Sequence, residues 1–252
     1  MERRSFLKHS LSSLAALTSL PLLRTATAES LLTKISGIPS KLATTVEISL
    51  RATRRRVKIL PGSKTAVWSF KGRVLEGGKG RLEPVPGSYL GPTLRFHQGD
   101  RVTMAFKNRL PEESVVHWHG LHVPEAADGH PRLAIPQGKT YRSTFDVLNR
   151  AGTYWYHPHP HGRTGPQVYR GLAGLIIVSD DNEQALDLPR GDYDVPLVLQ
   201  DRTFGSNNQI LYDQFPMHGF LGETILVNGK PDYVLDVDSR PYRLRLLNGS
   251  NS

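Results

Sequence analysis

The stretch VEISLRA, residues Val46–Ala52, alternates apolar and polar side chains along its whole length. Successive side chains of a β-strand point to opposite faces, so this period of two predicts a strand with one buried and one exposed face. Turn-forming residues separate similar segments further along the chain, as in Gln98–Asp100. The sequence therefore predicts an all-β fold, an antiparallel sandwich or barrel, with no convincing amphipathic helix.

The other predicted strands are short and rich in β-branched, aromatic or aliphatic residues. They are Thr65–Phe70, Thr93–His97, Arg101–Phe106, Val115–His119, Thr140–Val147, Gly152–His157, Leu172–Val178, Val195–Gln200 and Ile225–Val227. Eighteen prolines add to the case against a helical bundle.

Composition limits the classes of protein that remain. The 252 residues are 38% hydrophobic and 22% charged, enough for one full domain and part of another. The chain has no Cys, which excludes disulfides, thiolate zinc sites, cysteine nucleophiles and a cysteine-ligated blue copper centre. The net charge is +9, and the densest basic run is Arg54–Arg56. No aromatic interleaving accompanies that run, so it predicts a solvated face and no nucleic-acid partner.

The N-terminus carries the marks of an export signal. The run RRSFLK at Arg3–Lys8 precedes an apolar stretch, Leu11–Leu23, and the small-residue site Ala26–Ala28. This order predicts a twin-arginine signal peptide over residues 1–28 and a periplasmic location. The apolar stretch is shorter than the roughly 20 residues that a membrane-spanning helix needs, so we expect no membrane span. Residues 29–44 are predicted to be an N-terminal linker.

The remaining sequence divides into two parts. We expect one domain over residues 45–180 and, because residues 181–194 are acidic and contain Pro189 and Gly191, a linker there. Residues 195–252 are expected to be the incomplete start of a second domain of the same fold. This expectation rests on a weak internal repeat, in which Arg101–Asn108 resembles Tyr242–Asn248.

Seven of the ten histidines fall between residues 117 and 161, and four of them form two His-x-His pairs. The pairs are His117 with His119, and His157 with His159. On a strand, residues i and i+2 share a face about 6.5–7 Å apart, so each pair projects together. If the two strands are neighbours, four imidazoles converge, a set that suits copper, zinc, iron or nickel and favours two or more ions. The competing interpretation is four ordinary hydrogen-bonded histidines.

The remaining histidines and the known hydrolase motifs give no comparable evidence for a metal or catalytic site. His122 and His130 lie in predicted loops, and we expect no metal role for them. The metallo-hydrolase pattern His-x-His-x-Asp-His fails because Leu121 and His122 occupy its last two places, and His-Glu-x-x-His is absent. A Gly-x-Ser-x-Gly nucleophile elbow is absent too, so a serine hydrolase is not predicted.

Together these motifs resemble the first domain of multicopper oxidases. The resemblance rests on His117–Leu121 and Gly152–Gly162, with Ser88–Thr93 and Gly171–Gly174 matching the flanks, and it covers about residues 45–252. With the twin-arginine signal, the chain looks most like bacterial periplasmic laccases and cuprous oxidases. The resemblance implies cupredoxin-like Greek-key β-sandwiches.

The resemblance also implies roles for the individual residues. In the family, the residue at the position of His117 binds the type 2 copper, and those at His119, His157 and His159 bind the two type 3 coppers. This trinuclear cluster reduces oxygen to water. Asp128 stands where related bacterial enzymes carry an acid implicated in proton delivery, although a plain turn residue fits Ala127–Gly129 as well.

The chain departs from the family in what it lacks. The family's cluster takes eight histidines, four from a later domain, and its type 1 copper needs a Cys that this chain does not have. We therefore expect the N-terminal portion of a multicopper oxidase, holding half of the cluster and inactive alone. The alternatives are a non-enzymatic periplasmic copper-binding protein, a truncated remnant, or assembly with separate C-terminal domains that supply the other ligands.

Overall fold

The computed structural model describes residues 44–212 and 219–251. The predicted signal peptide, residues 1–28, lies outside the described residues, as does all but the last residue of the predicted linker at 29–44. Within the described ranges, no helix has the length and apolar character needed to cross a bilayer.

Strands dominate the described part of the chain, as predicted. They are β1 (Thr45–Val57), β2 (Thr65–Glu76), β3 (Leu82–Glu83), β4 (Thr93–His97), β5 (Arg101–Asn108), β6 (Val116–His119), β7 (Thr140–Asp146), β8 (Gly152–Pro158), β9 (Gly174–Ser179), β10 (Asp194–Phe204), β11 (Ile210–Leu211), β12 (Thr224–Val227) and β13 (Arg243–Asn248). Each predicted strand overlaps one of these. The largest difference is β2, which runs six residues beyond Phe70 because its pairing with β1 continues to Glu76.

Two short helices were not predicted from the sequence. They are α1 (Thr164–Tyr169) and α2 (Asp181–Gln184), and 3₁₀ turns lie at Pro131–Leu133 and Gly191–Tyr193. Helix α1 has no amphipathic pattern because its last four residues, from Pro166 to Tyr169, are all buried. Its proline lies in the first turn, where a missing N–H costs little.

Two sheets face each other across the main core. One has the order β2-β1-β5-β7 and the other β3-β4-β9-β8-β6. Both sheets are mixed and not purely antiparallel as predicted, because β1 pairs parallel with β5 and β4 with β9. The alternation in β1 works as expected, since Val46, Ile48, Leu50 and Ala52 are each 0% exposed. They pack with apolar residues of β4, β6, β8 and β9 from the facing sheet. The pattern thus builds a β-sandwich, which carries the histidine strands β6 and β8 at one edge of the second sheet.

A third sheet repeats part of this pairing. Strand β10 pairs antiparallel with β12 and parallel with β13, as β1 pairs antiparallel with β2 and parallel with β5. The two segments of the predicted repeat form β5 and β13, which end at Asn108 and Asn248. The limits of a linker at 181–194 and of a second domain at 195–252 stay predictions.

The third sheet is attached to the sandwich by a second core and a charged cluster. Leu175 on β9 packs with Val198 of β10 and Leu226 of β12, which explains why β9 is buried on both faces. Next to this core, the Arg245 guanidinium bonds to Asp194 at 2.6 and 2.7 Å and to Glu183 at 3.2 Å. Only 4% of the Arg245 side chain is exposed, so this is a buried ion-pair network.

We predict that Arg245→Ala lowers the free energy of unfolding by about 3 kcal/mol, because two largely buried carboxylates then lose their cation. Urea unfolding followed by tryptophan fluorescence measures this loss. The control is Arg132→Ala, which breaks an exposed pair with Glu125 and should cost less than about 1 kcal/mol. Equal losses in the two variants would contradict a structural role for the network.

Candidate metal centre

The two histidine pairs lie on neighbouring strands. Strands β6 and β8 pair antiparallel, with His117 directly opposite His157 and Trp118 opposite Tyr156. His159 follows the end of β8, and its backbone N–H donates to the carbonyl of Val115 at 3.3 Å. The two His-x-His motifs therefore lie on adjacent, hydrogen-bonded strands, the arrangement that convergence of their imidazoles requires.

All four imidazoles come together. The centroid of the His117 ring lies 5.6 Å from that of His119, 5.3 Å from that of His157 and 5.2 Å from that of His159. One ring nitrogen from each of His117, His119 and His157 falls within 4.8 Å of the others. His119 Nδ1 and His157 Nε2 lie 3.2 Å apart, within hydrogen-bond distance.

Backbone carbonyls set the tautomers of two of these rings. His117 Nδ1 lies 2.6 Å from the carbonyl oxygen of Asp128, and His157 Nδ1 lies 2.8 Å from that of Pro158. A carbonyl only accepts, so both Nδ1 atoms carry the proton and donate. The lone pair is thereby left on Nε2 of each ring, the tautomer needed when a histidine binds a metal through Nε2.

Burial and crowding lower the pKa values of His119, His157 and His159. The pKa of the His157 imidazole is lowered to about 4, mainly by burial and also by the neighbouring His117, His119 and His159 rings, while the hydrogen bond to the Pro158 carbonyl opposes the shift. Burial first and His117 second also lower the pKa values of His119 and His159. Neutral imidazoles are the forms that bind metal ions.

A loop after β6 holds His117 in place. Trp118 Nε1–H donates to the carbonyl of Ala127 at 2.9 Å, next to the bond between His117 and Asp128. Gly129 has φ +79° and lies so close to β6 that a Cβ there would overlap the carbonyl oxygen of Val116. The loop therefore needs glycine at this position in order to present two successive carbonyls to β6.

Asp128 lies beside the cluster. Its carboxylate Oδ1 is 3.3 Å from His117 Nδ1, and 38% of its side chain is exposed. Its charge opposes the lowering of the His159 pKa. Sequence reasoning considered only the side chain of Asp128, whereas its main-chain carbonyl makes the shorter contact with His117. No residue pattern signals a main-chain contact of this kind.

The cluster faces an open cleft of about 440 Å³. Trp155 on β8 packs its ring 4.2 Å from the His157 ring and 5.3 Å from the His119 ring, centroid to centroid. Val168 of α1 and Asn251 line the opposite side. The sequence did not predict these contributions, because α1 was not predicted and Trp155 carries no metal-binding group.

His122 and His130, for which we expect no metal role, lie in different places relative to the cluster. His122 is not among the residues that line this cleft. His130 begins the 3₁₀ turn, where its Nδ1 accepts from the N–H of Arg132 at 3.2 Å, and its charge contributes to the lowered pKa of His159.

The profile of the multicopper oxidases matches residues 57–183, half of the chain, including all four histidines of the cluster. The chain belongs to the multicopper oxidase family. The cupredoxin-like β-sandwich expected from the motifs is confirmed, because a solved multicopper oxidase of Aquifex aeolicus matches with a TM-score of 0.70 at 38% identity. That alignment covers 83% of this chain and 45% of the other.

Curated relatives carry two different names. The multicopper oxidase mco of Staphylococcus aureus is 39% identical over 193 residues, which cover 73% of this chain and 43% of the relative. The cell division protein FtsP of Edwardsiella tarda is 38% identical over 205 residues, covering 81% and 43%. The chain thus spans about two-fifths of the length of these relatives, and family membership by itself does not decide the activity.

We predict that Gly129→Ala weakens metal binding about 10- to 100-fold without changing any imidazole. The added Cβ forces the loop to move, which breaks the hydrogen bond from His117 Nδ1–H to the Asp128 carbonyl. The matched control is Gly138→Ala, since Gly138 also has a positive φ, +85°, but open space around it. Copper affinity by competition titration compares the two. The orienting role of the loop is refuted if both variants lose affinity equally.

Proposed function

We propose that this chain is the N-terminal portion of a periplasmic multicopper oxidase and supplies half of its trinuclear copper cluster. The observation that carries the proposal is the convergence of four imidazoles from β6 and β8, with His119 Nδ1 and His157 Nε2 3.2 Å apart. The family is copper-dependent by its description. Export by the twin-arginine pathway is part of the proposal and rests on the sequence of residues 1–28.

The donor set fits a metal ion. Metal–imidazole bonds of about 2.0–2.1 Å in tetrahedral geometry separate two ligand nitrogens by about 3.3 Å. The observed separation of 3.2 Å between His119 and His157 is close to this value. His159 adds a buried Nδ1 without a hydrogen-bond partner among the described residues. An all-nitrogen set of this kind suits copper.

We assign the roles by the family's pattern. His117 would hold the type 2 copper, and His119, His157 and His159 would hold the two type 3 coppers. Copper bound in a complete cluster would pass electrons from the reducing substrate to O₂, which four electrons and four protons convert to two waters. The chain's own residues orient the ligands, disfavour protonation of three of them and bring Asp128 to within reach of the cluster, where its carboxylate would deliver protons.

The oxidising half of the reaction would need residues that this sequence does not contain. A type 1 copper, which takes electrons from a phenol or cuprous ion, requires a cysteine thiolate, and the chain has no Cys. We therefore propose that the chain alone is inactive as an oxidase. The reducing substrate and O₂ belong to the complete enzyme, in which further domains would supply the remaining ligands.

A second candidate is a non-enzymatic copper-binding protein. The observation in its favour is accessibility, because the cluster opens into a cleft and His119 is exposed. Both candidates require copper on the same imidazoles. They differ only in whether further domains complete the cluster, so co-purification with a polypeptide that supplies additional copper ligands supports the oxidase and its absence supports the binder.

We predict that the purified chain binds one or two copper ions tightly and that His157→Ala weakens this binding at least 100-fold, because two ring nitrogens no longer share an ion. Titration against a chromophoric copper chelator measures the affinity. His122→Ala, which changes a histidine outside the cleft, should bind as the unchanged chain does. Weak, unsaturable uptake by the unchanged chain would contradict the proposed site.

We also predict no oxygen uptake beyond that of free copper when the copper-loaded chain is mixed with a phenol or with cuprous ion, because no thiolate-bound copper is present to accept electrons. An oxygen electrode makes the measurement. Sustained catalytic uptake above that of free copper would refute the assignment of the chain as a partial enzyme.

A further inference from the structure

The basic run Arg54–Arg56 lines a cavity of about 550 Å³ that is separate from the histidine cleft. This cavity lies where the end of β1 meets β2 and the end of β10-β11. The other lining residues include Trp68 on β2, Arg170 after α1 and Gln209 before β11. Arg54 and Arg56 project from one face of β1 and Arg55 from the other. Together with Arg170 they line this cavity, in a part of the structure that the proposed copper function does not use.

These arginines form no direct ion pair in the described part of the chain, although the charge of Arg170 helps, against burial, to lower the pKa of Glu112. Among residues 44–212 and 219–251, none of the carboxylates forms an ion pair with Arg54–Arg56 or with Arg170. Their positive charge is felt by Lys71 on β2, whose pKa is lowered first by burial and then by Arg55 and Arg51. Such a concentration of unpaired cations attracts anions.

Part of the cavity is already organised. Arg170 holds its guanidinium 4.7 Å from the centre of the Trp68 ring, and its carbonyl accepts the N–H of Trp68 at 2.8 Å. Trp68 is directly opposite Arg54 in the β1–β2 ladder. Opposite these groups, Gln209 bonds to the backbone of Ala66 and Lys64, which fixes that wall of the cavity. A ligand in this cavity would therefore contact several guanidinium groups with little movement of the cavity walls.

One donor in this group is unsatisfied. Nη1 of Arg55 is buried and has no hydrogen-bond partner among the described residues. A buried charged donor without an acceptor is unfavourable, and an oxyanion in the cavity would supply acceptors. This observation distinguishes the cavity from an ordinary solvated basic face, which is how the sequence alone interpreted the run.

We propose that this cavity binds a small oxyanion that carries two or more negative charges, of the diphosphate or tricarboxylate class. Guanidinium groups bind phosphate and carboxylate oxygens through paired N–H donors, and several unpaired arginines call for more than one negative charge. The volume of about 550 Å³ falls in the range of small-molecule sites, about 300–1,000 Å³.

Calorimetric titration of the full chain with pyrophosphate and, separately, with citrate tests the proposal at about 0.15 M salt. We expect at least one of them to bind with a Kd below about 1 mM and at least tenfold more tightly than acetate does. The tighter of the two identifies the acceptor class. Failure of both to bind, or tighter binding of a short single-stranded oligonucleotide, would overturn the proposal.

Variants locate the site. Arg54→Gln should weaken binding about tenfold, whereas Arg132→Gln, which removes an exposed arginine elsewhere, should change it less than twofold. Ligand binding should alter tryptophan fluorescence in the unchanged chain, and Trp68→Phe should abolish that response while calorimetric binding persists. Equal losses in the two arginine variants, or a response that survives Trp68→Phe, would place binding elsewhere and refute the assignment. Copper binding at His117–His159 is measured separately, so the two proposals fail independently.

Discussion

The antiparallel pairing of β6 with β8 is the constraint on which the candidate site depends. It puts His117 opposite His157 and Trp118 opposite Tyr156, so the imidazoles lie on one face and the rings of Trp118 and Tyr156 on the other. A slip of one residue would exchange the faces and send the imidazoles into the core. The core prevents this, because Tyr156 is fully buried and its hydroxyl donates to the carbonyl of Pro92 at 2.7 Å.

The surrounding structure then prepares the imidazoles to bind metal. The carbonyls of Asp128 and Pro158 hold protons on Nδ1 of two rings, and burial lowers the pKa of His157. The close approach of His119 and His157 places two nitrogens at the separation expected for ligands of one ion. Together these features are compatible with the proposed metal site, and membership of the multicopper oxidase family points to copper as its metal.

The sequence predicted the parts of the fold and site that follow from side-chain periodicity. The alternation in Val46–Ala52 and the two His-x-His motifs both depend on the period of two, which tertiary structure did not override. Helix α1 was missed because burial on all sides removed its amphipathic signal. The bond from His117 to the carbonyl of Asp128 was also missed, because every residue has a carbonyl and only the folded loop selects one.

The basic run shows a different limit of sequence reasoning. The sequence of Arg54–Arg56 predicts a solvated face, since no aromatic interleaving or nucleic-acid-binding module accompanies the run. The fold brings Trp68 and Arg170 to the same cavity and buries Nη1 of Arg55. Those neighbours come from β2 and the end of α1, and no local pattern in the sequence predicts that they meet.

X-ray absorption spectroscopy of the copper-loaded chain tests the central claim most directly, because it reports the ligand atoms around the metal. The account predicts a nitrogen shell at about 2.0 Å with the outer-shell scattering of two or more imidazoles per copper, and loss of that scattering in His157→Ala. A shell of oxygen ligands without imidazole scattering, or a spectrum unchanged in His157→Ala, would contradict it.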